Sequence, residues 1–112
     1  MEEQRLNAYR VMWLLVMFDL PVTTKTERRR YSQFRKALLK DGFTMLQYSV
    51  YSRHCASSES AEVHVKRVKK SMPDKGQVTI VEITDKQYSS IINFWGEKTA
   101  ALPPPPAQLE LF

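Results

Sequence analysis

Asp19 closes an uninterrupted apolar run, Val11-Met-Trp-Leu-Leu-Val-Met-Phe18, and stands just before Leu20-Pro21. A carboxylate at the end of a buried strand must be solvated, hydrogen-bonded or bound to a cation. In that place it can take Mg²⁺ whose other positions are filled by water and phosphate oxygens. One carboxylate is too few for a good site, and a second Asp19 would come from a twofold dimer whose axis passes nearby. The competing reading is an Asp in the turn before Pro21, bonded to local backbone.

Lys25, Arg28, Arg29 and Arg30 crowd the first turns of a predicted helix, where the helix dipole favours acids. A phosphate at that helix start, flanked by arginines, would offset the repulsion. A solvated charge run is the alternative. Aromatic residues do not interleave with these charges, so contact with a duplex backbone fits them better than stacking on single strands. Other chemistry finds little support. Gly42, Gly76 and Gly96 form no phosphate-cradling loop, and no Ser, His and Asp spacing makes a nucleophile elbow. Cys55 adjoins His54, but neighbours on a strand point to opposite faces, which argues against a catalytic thiol. One cysteine and two histidines supply neither a disulfide framework nor a zinc ligand set.

The elements that must hold these residues are legible from periodicity. The continuous apolarity of Val11–Phe18 predicts an interior strand with both faces covered, which Pro21 stops. Thr24-Lys-Thr-Glu27 fits a capping box opening a helix that runs to about Lys40, with Asp41-Gly42 as its stop. Tyr31, Phe34 and Leu38 form its buried stripe, with Arg29, Gln33, Lys36 and Lys40 opposite. Phe43 to Cys55, β-branched and aromatic, predicts two short strands with a turn or bulge near Gln47–Ser49. Serines 57, 58 and 60 offer caps for a second helix whose inner stripe is Ala61, Val65, Val68 and Met72, with Lys66, Arg67, Lys69 and Lys70 largely towards solvent. Pro73-Asp-Lys-Gly76 is a turn, Val78–Ile83 a strand, Thr84–Gln87 a cap with a short helical turn, and Ile91–Trp95 a final short strand. The order β-α-β-β-α-β is that of an α+β, ferredoxin-like fold: one antiparallel sheet with two helices on one face.

The chain has 112 residues, 43% hydrophobic and 26% charged, with a net charge of +5. That is a globular composition for about one domain, with a basic excess that favours a polyanionic partner. We divide it into an N-terminal extension (1–10), the ferredoxin-like domain (11–96) and a Pro-rich linker with a C-terminal strand-like tail (97–112). Leu102-Pro-Pro-Pro-Pro106 predicts a stiff extended spacer. The alternating Ala107–Phe112 after it suits either a strand added to a sheet edge or a frayed end. The eight-residue apolar run falls far short of the roughly 20 residues a membrane-spanning helix needs. With the acidic, polar start Met1-Glu-Glu-Gln-Arg5, unlike a secretory segment, a cytoplasmic protein without membrane partners is expected.

Several of these motifs together resemble the CRISPR-associated protein 2 family: Val16-Met-Phe-Asp19-Leu-Pro21, Arg28-Arg-Arg-Tyr31, Gly42-Phe43, Gln47-Tyr-Ser-Val-Tyr51, and Gly76-Gln-Val-Thr-Ile-Val-Glu-Ile-Thr-Asp-Lys-Gln87. The Phe-Asp-Leu-Pro form and the long tail look most like members from type II systems. The resemblance implies a ferredoxin-like homodimer acting in spacer acquisition, bridging dimers of the CRISPR-associated protein 1 integrase while holding a protospacer duplex of double-stranded DNA. It also implies a metal-dependent nuclease acting on RNA or double-stranded DNA, with Asp19 as catalytic residue and ligand to Mg²⁺, paired across the dimer. The duplex-contacting positions map to Lys25, Arg28 and Arg29. The architectural role is favoured over hydrolysis as the main activity, because the sequence places no evident His or Lys as general base. A ferredoxin-like RNA-binding module outside CRISPR immunity is a third reading, and it lacks the aromatic pattern of such modules.

Overall fold

The computed structural model describes residues 11–96, so the expected extension over 1–10 and tail over 97–112 lie outside the described residues. Strand β1 (Met12–Asp19) is the centre of the sheet. It pairs antiparallel with β3 (Val50–Cys55) on one side and β4 (Gln77–Thr84) on the other, and β2 (Thr44–Gln47) extends the far side of β3. The order β2-β3-β1-β4 interleaves the two crossovers, as the ferredoxin-like topology requires. Helix α1 (Lys25–Lys40) joins β1 to β2, α2 (Ser58–Ser71) joins β3 to β4, and a short α3 (Asp85–Ser89) follows β4.

Both long helices cover the same face. Leu14, Val16 and Phe18 of β1 are buried with Phe34 and Leu38 of α1, Ala61 and Val68 of α2, and Phe43, Tyr51 and Cys55. Burying each large apolar side chain here contributes about 1.5–3 kcal/mol relative to leaving it in water. Helix α1 starts where its capping box predicts: Thr24 Oγ1 accepts from the Glu27 N–H at 3.1 Å, and Glu27 Oε1 accepts from the Thr24 N–H at 2.9 Å. It stops at Asp41-Gly42, where Gly42 takes φ +90 and the Phe43 N–H reaches back to the Leu38 carbonyl at 3.0 Å. That left-handed step is one that glycine takes without steric penalty.

Three expectations are corrected, and a buried arginine that no expectation covered joins them. Residues 91–96 form no strand; Ile92, Phe94 and Trp95 are strongly exposed, so the apolar pattern there is not satisfied by this sheet. The inner stripe of α2 contains His64 and not Met72, which is exposed, because the helix ends before Met72 and His64 finds a carboxylate partner. Arg35 is buried on α1, and its Nη1 has no partner among the described residues. Finally, β1 is central, yet its second face is not covered by the helical layer. Trp13, Leu15 and Met17 alternate with the core residues and are only half-buried.

Candidate nucleic-acid and metal site

Strand alternation puts Asp19 on the second face of the sheet, in line with Trp13, Leu15 and Met17. In the ladder its partner on β4 is Gln77, as Thr79 is for Met17 and Val81 for Leu15. Directly opposed residues share a face, so this outer face carries an apolar centre of Leu15, Met17, Val81 and Val50 with the Asp19 carboxylate at one end. The other end is closed by α3. The Tyr88 ring stacks on Trp13 at 3.7 Å and 2°, the Tyr88 and Ser52 hydroxyls share a 3.1 Å hydrogen bond, and Trp13 Nε1 donates to Asp85 Oδ1 at 2.7 Å.

Asp19 lies in an open cleft with Met17, Phe18, Tyr48, Ser49, Val50, Gln77 and Thr79. Its side chain is exposed and makes no hydrogen bond or ion pair with a described residue, so the bond to local backbone before Pro21 is not made there. Gly76 permits β4 to begin against this strand end. A Cβ at Gly76 would sit 2.7 Å from Leu20 Cδ2 and 2.8 Å from the Asp19 carbonyl oxygen, and its φ is +101. The opposite wall is the β2–β3 turn. Ser49 takes φ +62, its carbonyl accepts from the Phe18 N–H at 3.1 Å, and its hydroxyl shares a 2.8 Å hydrogen bond with the Tyr31 hydroxyl. Burial pushes the Tyr31 phenol up to about 12, so it keeps its proton at every working pH.

The donor set suits a hard cation that keeps most of its waters: one carboxylate, with neutral hydroxyl and amide oxygens beside it. Among the described residues no group of three or more His, Cys, Asp or Glu side chains could hold a metal, so Asp19 would need phosphate oxygens or a second Asp19 to complete the shell. Cys55 is buried, and burial raises its thiol pKa; it takes no part in the cleft.

The three basic residues lie six to ten positions beyond Asp19, on the start of α1. No ion pair or hydrogen bond joins any of them to Asp19 among the described residues. Arg28 is tied down: its Nη1 donates to the Val22 carbonyl at 3.2 Å and the Thr23 carbonyl at 3.0 Å. Lys25 and Arg29 are exposed with no side-chain bond to a described residue, and Arg30 makes a long ion pair with Asp74 at 3.5 Å. Backbone N–H groups of Thr24 and Thr23, with help from Lys75, hold the Glu27 carboxyl below its usual range. Lys75 is thus a fifth cation of this region, 45 residues beyond Arg30 in sequence and invisible to any local pattern.

The fold and the cleft define a class first: a ferredoxin-like α+β chain with an exposed carboxylate at the end of its central strand and cations on the helix start that follows. A family model for CRISPR associated protein Cas2 matches residues 12–91, and the chain belongs to that family. It is 52% identical over 108 residues to the CRISPR-associated endoribonuclease Cas2 of Flavobacterium psychrophilum, covering 96% of this chain and 94% of that one. With the protein of the same description from Parvibaculum lavamentivorans it shares 54% over 101 residues, 90% of this chain and all of that one. A solved structure described as a crystal structure of cas2 superposes with a TM-score of 0.55 at 20% identity, over 78% of this chain and 91% of the other, which speaks to the fold alone.

Proposed function

We propose that this chain is a spacer-acquisition protein that works as a homodimer, holds a protospacer duplex by its phosphates and bridges dimers of the CRISPR-associated protein 1 integrase. The observation that carries the reading is the exposed pair Lys25 and Arg29 at the start of α1, unpaired among the described residues, with Arg28 fixed beside them and Lys75 close by. A helix start rich in unneutralised cations is built for phosphate and not for a specific base. The half-exposed apolar centre of the outer face supports the homodimer, since a second copy would cover Leu15, Met17 and Val81 and bring two Asp19 carboxylates towards each other. Duplex affinity measured against salt tests this. Lys25→Glu with Arg29→Glu weakens binding without sequence preference and flattens the salt slope by about 0.9 for each phosphate no longer neutralised. Unchanged affinity and slope would remove both residues from the interface.

A metal-dependent nuclease is the second reading, favoured by the exposed Asp19, whose side chain has no partner among the described residues, and by the relatives described as endoribonucleases. Asp19, one from each copy, would hold Mg²⁺ through its waters. Bound there, Mg²⁺ supplies polarisation of a phosphate and activation of water. Cleavage of duplex DNA and single-stranded RNA in Mg²⁺, present in wild type and absent in Asp19→Ala, establishes this activity; equal cleavage by both would exclude Asp19 from it.

A further inference from the structure

We infer that Ser49 and Tyr31 are positioning residues for Asp19, acting as a latch between the β2–β3 turn, helix α1 and the end of β1. The inference rests on the reading of Asp19 as a ligand to a divalent cation. Ser49 holds φ +62, a region that is sterically unfavourable for any side chain with a Cβ. Such a conformation persists only where its surroundings over-determine it, and strain of this kind gathers at functional sites. Here two bonds fix it. The Ser49 carbonyl takes the N–H of Phe18, the residue before Asp19, at 3.1 Å. The Ser49 hydroxyl is held by the Tyr31 hydroxyl at 2.8 Å, and the Tyr31 ring is itself packed on Phe18 with centroids 5.5 Å apart.

The last register pair of β1 with β3 is Met17 with Val50. Beyond it, the Ser49 carbonyl supplies the tie from the turn to β1. On the other side Asp19 is paired with Gln77. The carboxylate therefore stands on a backbone clamped from both sides, and the β3 side of the clamp depends on a single turn residue kept in place by one phenol. A carboxylate that shares its cation with phosphate and water needs its direction fixed beforehand, since the Asp19 side chain makes no bond to a described residue that would hold it.

The test uses the full chain and the variants Tyr31→Phe, Ser49→Ala and the double. Tyr31→Phe keeps the ring on Phe18 and removes only the oxygen. Two readouts are taken: amide exchange at Phe18 against Val16, and Mn²⁺ binding followed by line broadening at the Asp19 amide. The latch predicts that protection at Phe18 falls about tenfold while Val16 is unchanged. It predicts that Mn²⁺ affinity weakens several-fold, and that the double variant is no worse than either single. Unchanged exchange at Phe18 overturns the latch. Faster exchange with unaltered Mn²⁺ affinity overturns its role towards Asp19. Wild type that binds no Mn²⁺ at Asp19, with Asp19→Ala as control, overturns the cation reading itself and the positioning role with it. Should Ser49→Ala fail to fold, Tyr31→Phe decides alone.

Discussion

His64 Nδ1 donates to Asp41 Oδ2 at 2.7 Å, and this one contact pins the end of α1 to the middle of α2. The other oxygen of Asp41 accepts from Arg67 Nη1 at 2.8 Å, and its carbonyl accepts from Arg53 Nε of β3 at 2.8 Å. Three elements converge on a single helix-capping residue.

Burial pushes the Asp41 carboxyl up, but the hydrogen bonds from His64 and Arg67 outweigh it, and its pKa is lowered from 3.8. A carboxyl depressed in the fold contributes stability that is fully present above its unfolded value and is lost as pH falls through the folded one. Asp41→Asn should therefore lower stability by about 1.5–3 kcal/mol at pH 7, with the gap to wild type closing below about pH 4. Urea midpoints of both proteins from neutral pH into acid check this; a gap that does not shrink in acid would deny the carboxylate its part.

Thr24→Ala removes the hydroxyl of the capping box and should cost about 0.5–2 kcal/mol. The loss shows as a lower urea midpoint with an unchanged slope. Because the helix start carries Lys25, Arg28 and Arg29, duplex binding should weaken in the same variant even though no charge has changed.

Gly76→Ala places a methyl group 2.8 Å from the Asp19 carbonyl oxygen, at φ +101. The backbone must shift, and a loss of at least about 1–2 kcal/mol is expected. Thermal unfolding measures it. An alanine variant as stable as wild type would mean that β4 begins farther from the end of β1.

Val81→Lys tests the outer face. Val81 is already exposed in the single chain, so the folded protomer should tolerate the change. A copy packed over Leu15 and Met17 would not, since a lysine buried without a partner is strongly unfavourable. Light scattering should report about twice the 13.1 kDa chain mass for wild type and the chain mass for the variant. A variant that stays dimeric moves the interface elsewhere.

Local signals are the readable ones. Thr24 and Glu27, Asp41 and Gly42, and the turn at Tyr48 and Ser49 declare themselves within four residues, because caps and turns are satisfied locally. The fold class follows from the order of such elements. Asp19 is visible as a carboxylate ending an apolar strand, and the structure puts it in an open cleft. What periodicity does not reach is pairing across the chain. His64 has no place in the inner stripe read from periodicity until Asp41, 23 positions earlier, is brought to it. Ser49 is an ordinary turn serine until Tyr31 reaches it from 18 positions away. The second face of β1 reads as covered because its apolarity is continuous, whereas among the described residues α3 covers that face at its Trp13 end and leaves Leu15 and Met17 half-buried. Ile91–Trp95 misleads for the same reason: strand-like composition does not say that the pairing lies within this sheet.

The sheet register also fixes an order of assembly. Asp19 is paired with Gln77, 58 residues later, and Met12 with Thr84, 72 residues later. Closing loops of that length is slow, and β1 cannot be flanked on both sides until nearly the whole domain has left the ribosome. A nascent or truncated chain lacking β4 therefore has its central strand open along one edge and no Gln77 or Thr79 wall beside the carboxylate. The carboxylate borne by β1 therefore gains its β4 wall only when the last of the four described strands has been synthesised, and a partial product ending before β4 lacks that wall.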